Sequence, residues 1–510
     1  MSDGAPLNRN LATMGLILAT SMNSLDTTVV NVSLPHMRAS LSASPEQITW
    51  VITSYIVASA VMTPLSGWLA RRFSMKVLLL ASVATFTVIS VFCGIAGNLE
   101  QMVGFRLLQG IVGAPLMPIA QAALLNIYPA ERHGRAMALY MMAIVAAPVC
   151  GPMVGGFLTD QLSWRWCFYI NVPAGIAALL LIWSGLPKDK ADARRFDFLG
   201  FGSLAVGIAA LQLMVDRGPT LDWFSSHEIW IEAIVALIAF WVYLAHTITA
   251  KDPLFPTALF RDRNYVAGGT VGFLVSWLLY CSMVLLPLMM QGVLGYSVAQ
   301  AGALATPRGL VMLGILQVIG RLDAIFDRRL LICFGLSLMS FSFVMMGAFD
   351  LSMTHDPIIW STVVQGIGQG IFIVPLTTLT FLTIPADLRA DASTLSNLLR
   401  NIGGSVGVAA VQALTATNIQ TMHASLAANV RSDDPVLRAG LAPFLRPDTA
   451  AGATALNDEI TRQATMVAYV NDFWLLAAIG FACLPLILML RQPKRGASIG
   501  EAAVADAIHA

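Results

Sequence analysis

The chain has 510 residues, 57% hydrophobic and 12% charged, with a formal net charge of +1. A soluble protein would carry about 25% charge, and here the excess of apolar residues falls into runs of about 20, the length that crosses a bilayer core. The composition excludes a soluble globular domain and predicts a polytopic helical membrane protein, while the near-zero charge balance says nothing about partners.

In chain order, the predicted spans are 11–34, 46–66, 75–96, 100–124, 136–158, 167–186 and 198–215, then 229–250, 265–290, 299–320, 330–350, 357–381, 392–416 and 470–490. The first follows Arg9, runs past twenty residues and meets no A-x-A site, so it is expected to stay as a span and not to act as a cleaved signal. Fourteen spans place both termini on one side. Lys and Arg gather in one set of loops: Arg71, Arg72 and Lys76; Arg132 and Arg135; Arg328 and Arg329 are among them. By the positive-inside rule that side, and with it both termini, is cytoplasmic. The six cysteines lie in or beside apolar runs without metal-ligand spacing and are expected to be free thiols.

Span 1 ends in L-D-T-T-V-V-N-V-S-L-P, Leu25 to Pro35, and carries Asp26 inside the apolar run. A carboxylate at that depth costs a few kcal/mol and needs a partner or a task. Asp26 lies nine residues before Pro35, roughly 13 Å deep at about 1.5 Å per residue. Arg106 in span 4 enters from the same side and lies roughly 8 Å deep on that scale. The two depths match within the reach of an arginine. Burial disfavours a carboxylate's charged form and a neighbouring guanidinium favours it, so a group held between those terms can titrate when access changes. Asp26 with Arg106 is the predicted proton-coupling pair; a permanent structural ion pair is the plainer alternative.

Spans 4 and 12 read alike. L-L-Q-G-I-V-G-A-P-L-M-P (107–118) precedes Y-P-A-E-R-H-G-R-A (128–136), and V-V-Q-G-I-G-Q-G-I-F-I-V-P (363–375) precedes I-P-A-D-L-R-A-D-A (384–392). Gln109 and Gln365, and Pro129 and Pro385, share one offset of 256 residues. Parallel six-span repeats with a site between them are a transporter architecture. The predicted organisation is an all-α protein: an N-terminal six-span bundle (1–186), a linker with two extra spans (187–264) and a C-terminal six-span bundle (265–510) with a long outer loop at 417–467. At the same offset Asp26 faces Ser282 and Arg106 faces Thr362. The scaffold is doubled and the buried charge pair is not.

Span 5 holds G-P-M-V-G-G (151–156). Gly151, Gly155 and Gly156 allow close helix contact, and Pro152 frees a backbone carbonyl and permits a bend; the motif is expected at a moving interface. Arg308 and Arg400 lie in spans without an acidic partner, either facing the cavity or serving structure. The candidate substrate-binding set is Asn23, Gln109, Met141, Trp277, Tyr280, Phe372, Asn397, Arg400 and Asn401, chosen as polar, methionine or aromatic residues that adapt to varied ligands. Packing is the commoner use of any one of them. No G-x-x-x-x-G-K-[ST] loop is present, so transport driven by a gradient is favoured over ATP. No metal, cofactor or enzymatic activity is expected.

These motifs together resemble the major facilitator superfamily, and within it the fourteen-span drug:proton antiporters of the EmrB/QacA type, nearest to the EmrB pumps. The resemblance rests on the span 1 motif, F-R-L-L-Q-G in span 4, G-P-M-V-G-G in span 5, W-R-W-C-F-Y-I-N-V-P (164–173), L-D-W-F-S-S-H-E-I (221–229) and N-L-L-R-N-I-G-G-S-V-G (397–407). It implies a proton-coupled efflux pump for hydrophobic or weakly acidic toxic compounds in a bacterial inner membrane. It also implies a periplasmic adaptor and, through it, an outer-membrane channel, with the long outer loop as the adaptor contact. Export of one endogenous metabolite, or ligand sensing without turnover, are the alternatives. One motif departs. The family's G-x-L-A-D-R-x-G-R-K reads G-W-L-A-R-R-F-S-M-K (67–76) here, with Arg71 in place of the aspartate. The usual charge latch cannot form in that sense, and Asp327 with Arg328 and Arg329 is the expected partial substitute.

Overall fold

The structure is a computed structural model that describes residues 8–187, 195–218, 221, 223–428 and 449–491. Its regular secondary structure is helical throughout the described residues. In chain order the helices are α1 (Arg9–Ser40), α2 (Pro45–Met62), α3 (Leu65–Phe73), α4 (Met75–Ile95), α5 (Leu99–Gly113), α6 (Leu116–Ile127), α7 (His133–Gln161), α8 (Trp166–Tyr169), α9 (Asn171–Gly185) and α10 (Phe198–Arg217). They continue as α11 (His227–Thr249), α12 (Thr257–Arg261), α13 (Arg263–Gly292), α14 (Val298–Ile325), α15 (Arg328–Met346), α16 (His355–Phe381), α17 (Arg389–Ala428), α18 (Ala450–Ala482) and α19 (Leu484–Ile487).

Twelve stretches are long and apolar enough to cross a membrane, and the bent pair α2–α3 makes thirteen. The remaining predicted span is α1, which has 32 residues. Its length is ample. Its hydropathy is lowered by the polar face that carries Asn23, Ser24 and Asp26, all of which are buried against protein. Prolines shape several spans. The second predicted span bends by 60° between α2 and α3, where Pro64 starts a new helix. The fourth breaks at Pro115, between α5 and α6. A proline removes one backbone donor and crowds the preceding turn, so helices bend there.

The repeat is visible in the local chemistry. Ser44 and Ser297 each cap a helix, α2 and α14, through a reciprocal bond with Gln47 and Gln300. Such a box satisfies amide groups that the first helical turn leaves free. The first six spans pack among themselves, chiefly α1 with α7 and α9, and α2 with α5. The last six do likewise, with α16 between α14 and α15, and α17 between α13 and α18. The two extra spans, α10 and α11, pack on each other at the periphery. Thr53 of α2 donates to Asp216 of α10 at 2.7 Å, and Ser405 of α17 donates to Gln212 of α10 at 3.1 Å. Thus α10 touches both halves, while α11 turns most of its surface outward.

The outer loop predicted at 417–467 differs from expectation. Helix α17 runs on to Ala428 and α18 begins at Ala450, so both flanks are helical and only 429–448 falls outside the described residues. His423 and Asn457 join the two rods at 3.1 Å beyond the predicted spans. Polar residues with good helix propensity continue the turns set by the apolar segments beneath them, and a loop reading based on polarity missed that. Positions 188–194 of the linker also lie outside the described residues.

Candidate functional site: a buried carboxylate and the seam between the halves

Asp26 and Arg106 meet. Arg106 Nη1 lies 2.6 Å from Asp26 Oδ2, and both side chains are at most 1% exposed. Two unit charges this deep need more than each other, because every remaining lone pair and proton must also be satisfied. The surrounding helices supply the rest. Gln109, one turn after Arg106 on α5, accepts from Arg106 Nη1 at 2.8 Å and donates to Asp26 Oδ1 at 3.3 Å. Asn171 at the start of α9 donates to Asp26 Oδ1 at 2.8 Å. Ser90 of α4 accepts from both amides, at 2.7 Å from Gln109 and 3.1 Å from Asn171. Arg106 Nε donates to the Val51 carbonyl at 3.2 Å, and the Tyr55 ring lies under the guanidinium, 4.3 Å from its centroid. Five helices therefore converge on one carboxylate, and the positive charge is shared between an anion and an aromatic face.

The pair follows from the matched depths of two residues, whereas Asn171, Ser90 and Tyr55 are additions from the structure. Asn171 had a signal, since it is the polar residue of the N-V-P segment in span 6. Ser90 and Tyr55 had none, because a serine or tyrosine in a span is ordinary. Gln109, placed in the substrate set from sequence, serves the Asp26 network. Asn23 likewise turns inward, donating to Tyr55 Oη at 3.1 Å and to the Gly113 carbonyl at 3.3 Å.

The other sequence-selected residues divide. Met141 and Phe372 are 6% and 1% exposed and belong to the apolar cores; Phe372 packs on Gly335. They do not line an open cavity, because at helical spacing an apolar side chain faces whichever neighbour is nearest. Trp277 and Tyr280 stack against Gly407 and Gly404 of α17; Tyr280 is 46% exposed and the Trp277 indole N–H has no acceptor among the described residues. Arg400 donates to Asn397 Oδ1 at 2.8 Å and sits among Tyr140, Tyr265 and Tyr280. Asn397 donates to Gln121 of α6 at 3.2 Å, so it belongs to the seam between the halves. Asn401 is exposed. Arg308 donates to Gln365 at 3.3 Å.

In span 5, a Cβ on Gly151 would meet Thr28 Oγ1 at 2.1 Å, and one on Gly155 would meet the Val29 carbonyl at 2.9 Å. Both glycines press α7 onto α1 beside Asp26. Gly151 and Gly155 thus face α1 inside the N-terminal half, while α7 also packs on α14 of the other half. Gly156 has open space where a Cβ would go. Pro152 continues the same helix, and its side chain lies outside the described residues.

The halves are joined at the end that carries the basic loops. Arg71 of α3 pairs with Asp391 of α17 at 2.6 Å, with the aspartate 1% exposed. Gln121 accepts from Ser393 at 2.9 Å, and Arg389 donates to the Leu125 carbonyl at 2.8 Å and to Asn126 at 3.0 Å. The lost latch aspartate is therefore replaced by a pair of opposite sense, an arginine on α3 and an aspartate in the first turn of α17. An acid also suits that position because helix N-termini are electropositive. The substitute expected at Asp327 does not form: Asp327 caps α15 by accepting from the Arg329 amide at 2.9 Å, and Arg328 instead pairs with Asp323 at 3.0 Å. Asp391 and Asp323 each sit on a glycine of the N-terminal half, Gly67 and Gly134.

The Major Facilitator Superfamily model matches residues 16–408. The chain belongs to that superfamily. It is a secondary transporter of the EmrB type and not an enzyme. It is 35% identical over 490 residues to the multidrug export protein EmrB of Escherichia coli (strain K12), covering 95% of each chain. It is 36% identical over 485 residues to the fatty acid resistance protein FarB of Neisseria gonorrhoeae, covering 94% of this chain and 96% of that one. Among solved structures, the transporter superposes on the proton:xylose symporter XylE with a TM-score of 0.62 at 13% identity, covering 97% and 98%. It superposes on the human organic anion transporter MFSD10 with a TM-score of 0.63 at 14% identity, covering 93% and 100%. At those identities the likeness is one of fold.

Proposed function

We propose that the transporter exports hydrophobic or weakly acidic toxic compounds across a bacterial inner membrane in exchange for protons. The observation that carries this reading is the Asp26–Arg106 pair, buried among neutral amides and hydroxyls. The names of the relatives, which include multidrug export and fatty acid resistance, support the substrate class. The proton gradient is the energy source, and no cofactor takes part. The basic end is cytoplasmic, with both termini on that side.

Asp26 takes up a proton when access opens from outside, which releases Arg106, and gives it up toward the cytoplasm, which restores the pair. The pair is formed while the basic end is shut, so its restoration does not require that end to stay open. Asp26 is enclosed by its own half, so protons reach it only after α1 or α9 shifts. The test is drug-stimulated proton release from everted vesicles across a panel of compounds. Competing release by chemically varied drugs is expected. Response to a single metabolite would favour a dedicated exporter, and binding without flux in any pH gradient would favour a sensor.

The helical rods of α17 and α18 are the contact for a periplasmic adaptor and, through it, an outer-membrane channel. Replacing residues 425–460 with a short Gly/Ser linker should spare drug binding in detergent and remove resistance in cells. Full resistance in that strain would reduce the rods to a connector.

A further inference from the structure

A second carboxylate is buried far from the first. Asp472 of α18 is 1% exposed. It packs among α13, α15 and α17 in the C-terminal half. Among the described residues no Lys, Arg or His pairs with it. The titratable groups that face it are Cys281 of α13 and Tyr469 of its own helix; α15 and α17 present none. Its neighbour Trp474 donates to the Gly347 carbonyl at the far end of α15, so Asp472 lies toward the side opposite the basic loops.

Its one described polar partner is Thr415 of α17. Asp472 Oδ2 is 2.5 Å from Thr415 Oγ1, and the same Oγ1 is 2.8 Å from the Val411 carbonyl one turn back. A hydroxyl owns one proton. The Val411 carbonyl can only accept, and a threonine inside a helix habitually donates to the carbonyl four residues earlier. Thr415 therefore shares its one proton between the Val411 carbonyl and Asp472 Oδ2, which is little support for a full negative charge. An isolated ionised carboxylate in apolar surroundings is far more costly than its neutral form, and such a group neutralises. Both arguments favour the neutral acid, hydrogen-bonded to the Thr415 hydroxyl.

We infer that Asp472 is held as a neutral carboxylic acid and is a second proton-carrying group of the transporter, in the half that lacks the Asp26–Arg106 pair. It rests on the proposed antiport for its use, though not for its protonation. In the exchange the O–H bond of Asp472 breaks as drug is loaded and its proton passes to water admitted by the conformational change, and a proton from the outer side, toward which Asp472 lies, restores the acid.

Two measurements on the purified full-length protein test this. Infrared spectra at neutral pH should show a carboxylic C=O stretch that shifts in heavy water, is lost in Asp472→Asn and persists in Asp26→Asn. Thr415→Val should move the band by removing its hydrogen bond. Drug-induced proton release should fall by one proton per transporter in Asp472→Asn, whose amide has the shape of the neutral acid. A wild-type spectrum without such a band, which needs no variant, would overturn the neutral acid. A band lost in Asp472→Asn with proton release unchanged would make the acid purely structural and overturn its coupling role. Absence of any wild-type proton release would instead sink the antiport reading, and the band would still decide the protonation.

Discussion

The two halves solve the same packing problem with different chemistry. In the N-terminal half, Gln109 reaches from α5 to Asp26 on α1. At the repeat-related place in the C-terminal half, Gln365 reaches from α16 to Ser282 on α13 at 2.9 Å, and both residues are fully buried. The amide crosses the same pair of helices in each case. The carboxylate does not recur, and Thr362 stands at the place of Arg106 and bonds back to its own helix, at 2.8 Å from the Ile359 carbonyl, while Arg308 of α14 donates to the same Gln365 at 3.3 Å. A buried amide–hydroxyl contact is enough to register two helices, so the charges in the N-terminal half are more than that task requires. A buried ion pair is a weak source of stability compared with apolar packing, which supports the charge movement proposed for it.

The sharpest way to break this comparison is to neutralise each half in turn. Asp26→Asn should retain drug binding and lose pH-driven export, measured as flux in vesicles with an imposed gradient. Ser282→Ala should cost tenfold at most, since a neutral hydrogen bond contributes about 0.5–1.5 kcal/mol. Equal losses would mean that both contacts are structural. Removing the cation should also cost stability: Arg106→Ala leaves a buried carboxylate alone, a change of about 3–5 kcal/mol, seen as a lower melting temperature in detergent. Arg106→Lys should be milder, because the charge stays and only the fork is lost.

Next in size is the glycine face beside Asp26. Gly155→Leu should abolish transport in protein that still inserts, because its side chain would press on the α1 backbone at Val29. Gly156→Ala, with open space at its Cβ, should transport normally. Comparable defects in the two would show that the motif acts through helix propensity and not through contact with α1.

The basic end gives a smaller effect. Arg71→Ala should loosen the seam and raise thiol labelling of a cysteine placed nearby on α17. The exchange of both charges, Arg71→Asp with Asp391→Arg, should restore only part of the closure, since an arginine in the first turn of α17 meets the positive helix end. Full restoration would mean that the helix dipole contributes nothing there. Smallest of all, Arg308→Gln should leave proton release unchanged and alter drug affinity by a few-fold at most, because its one described bond is to a neutral amide.

Much of the fold was legible because its signals are one-dimensional. Apolar runs count spans, and the offset between Gln109 and Gln365 reports the repeat. Asp26 and Arg106 were legible for the same reason, as two charges at matching depth where charge is costly. What the sequence hid depends on which way a side chain turns. Met141 and Phe372 differ from true cavity residues only by rotation about a helix axis. Arg71 and Asp391 lie 320 positions apart, and no rule of spacing joins them. The rods beyond span 13 were hidden because polarity marks solvent exposure, not the loss of helix.

Those rods have a mechanical consequence. Twelve residues of α17 beyond the predicted span, at about 1.5 Å each, make a stiff arm of roughly 18 Å, braced by α18 through His423 and Asn457. An arm continuous with a membrane helix turns with it as one lever. A tilt of the C-terminal half too slight to change its packing would carry the tip sideways by several times the displacement at the seam. Anything gripping that tip would feel each turn of the cycle as travel, and any load on the tip would be returned to the helix that carries Arg400 and Asp391.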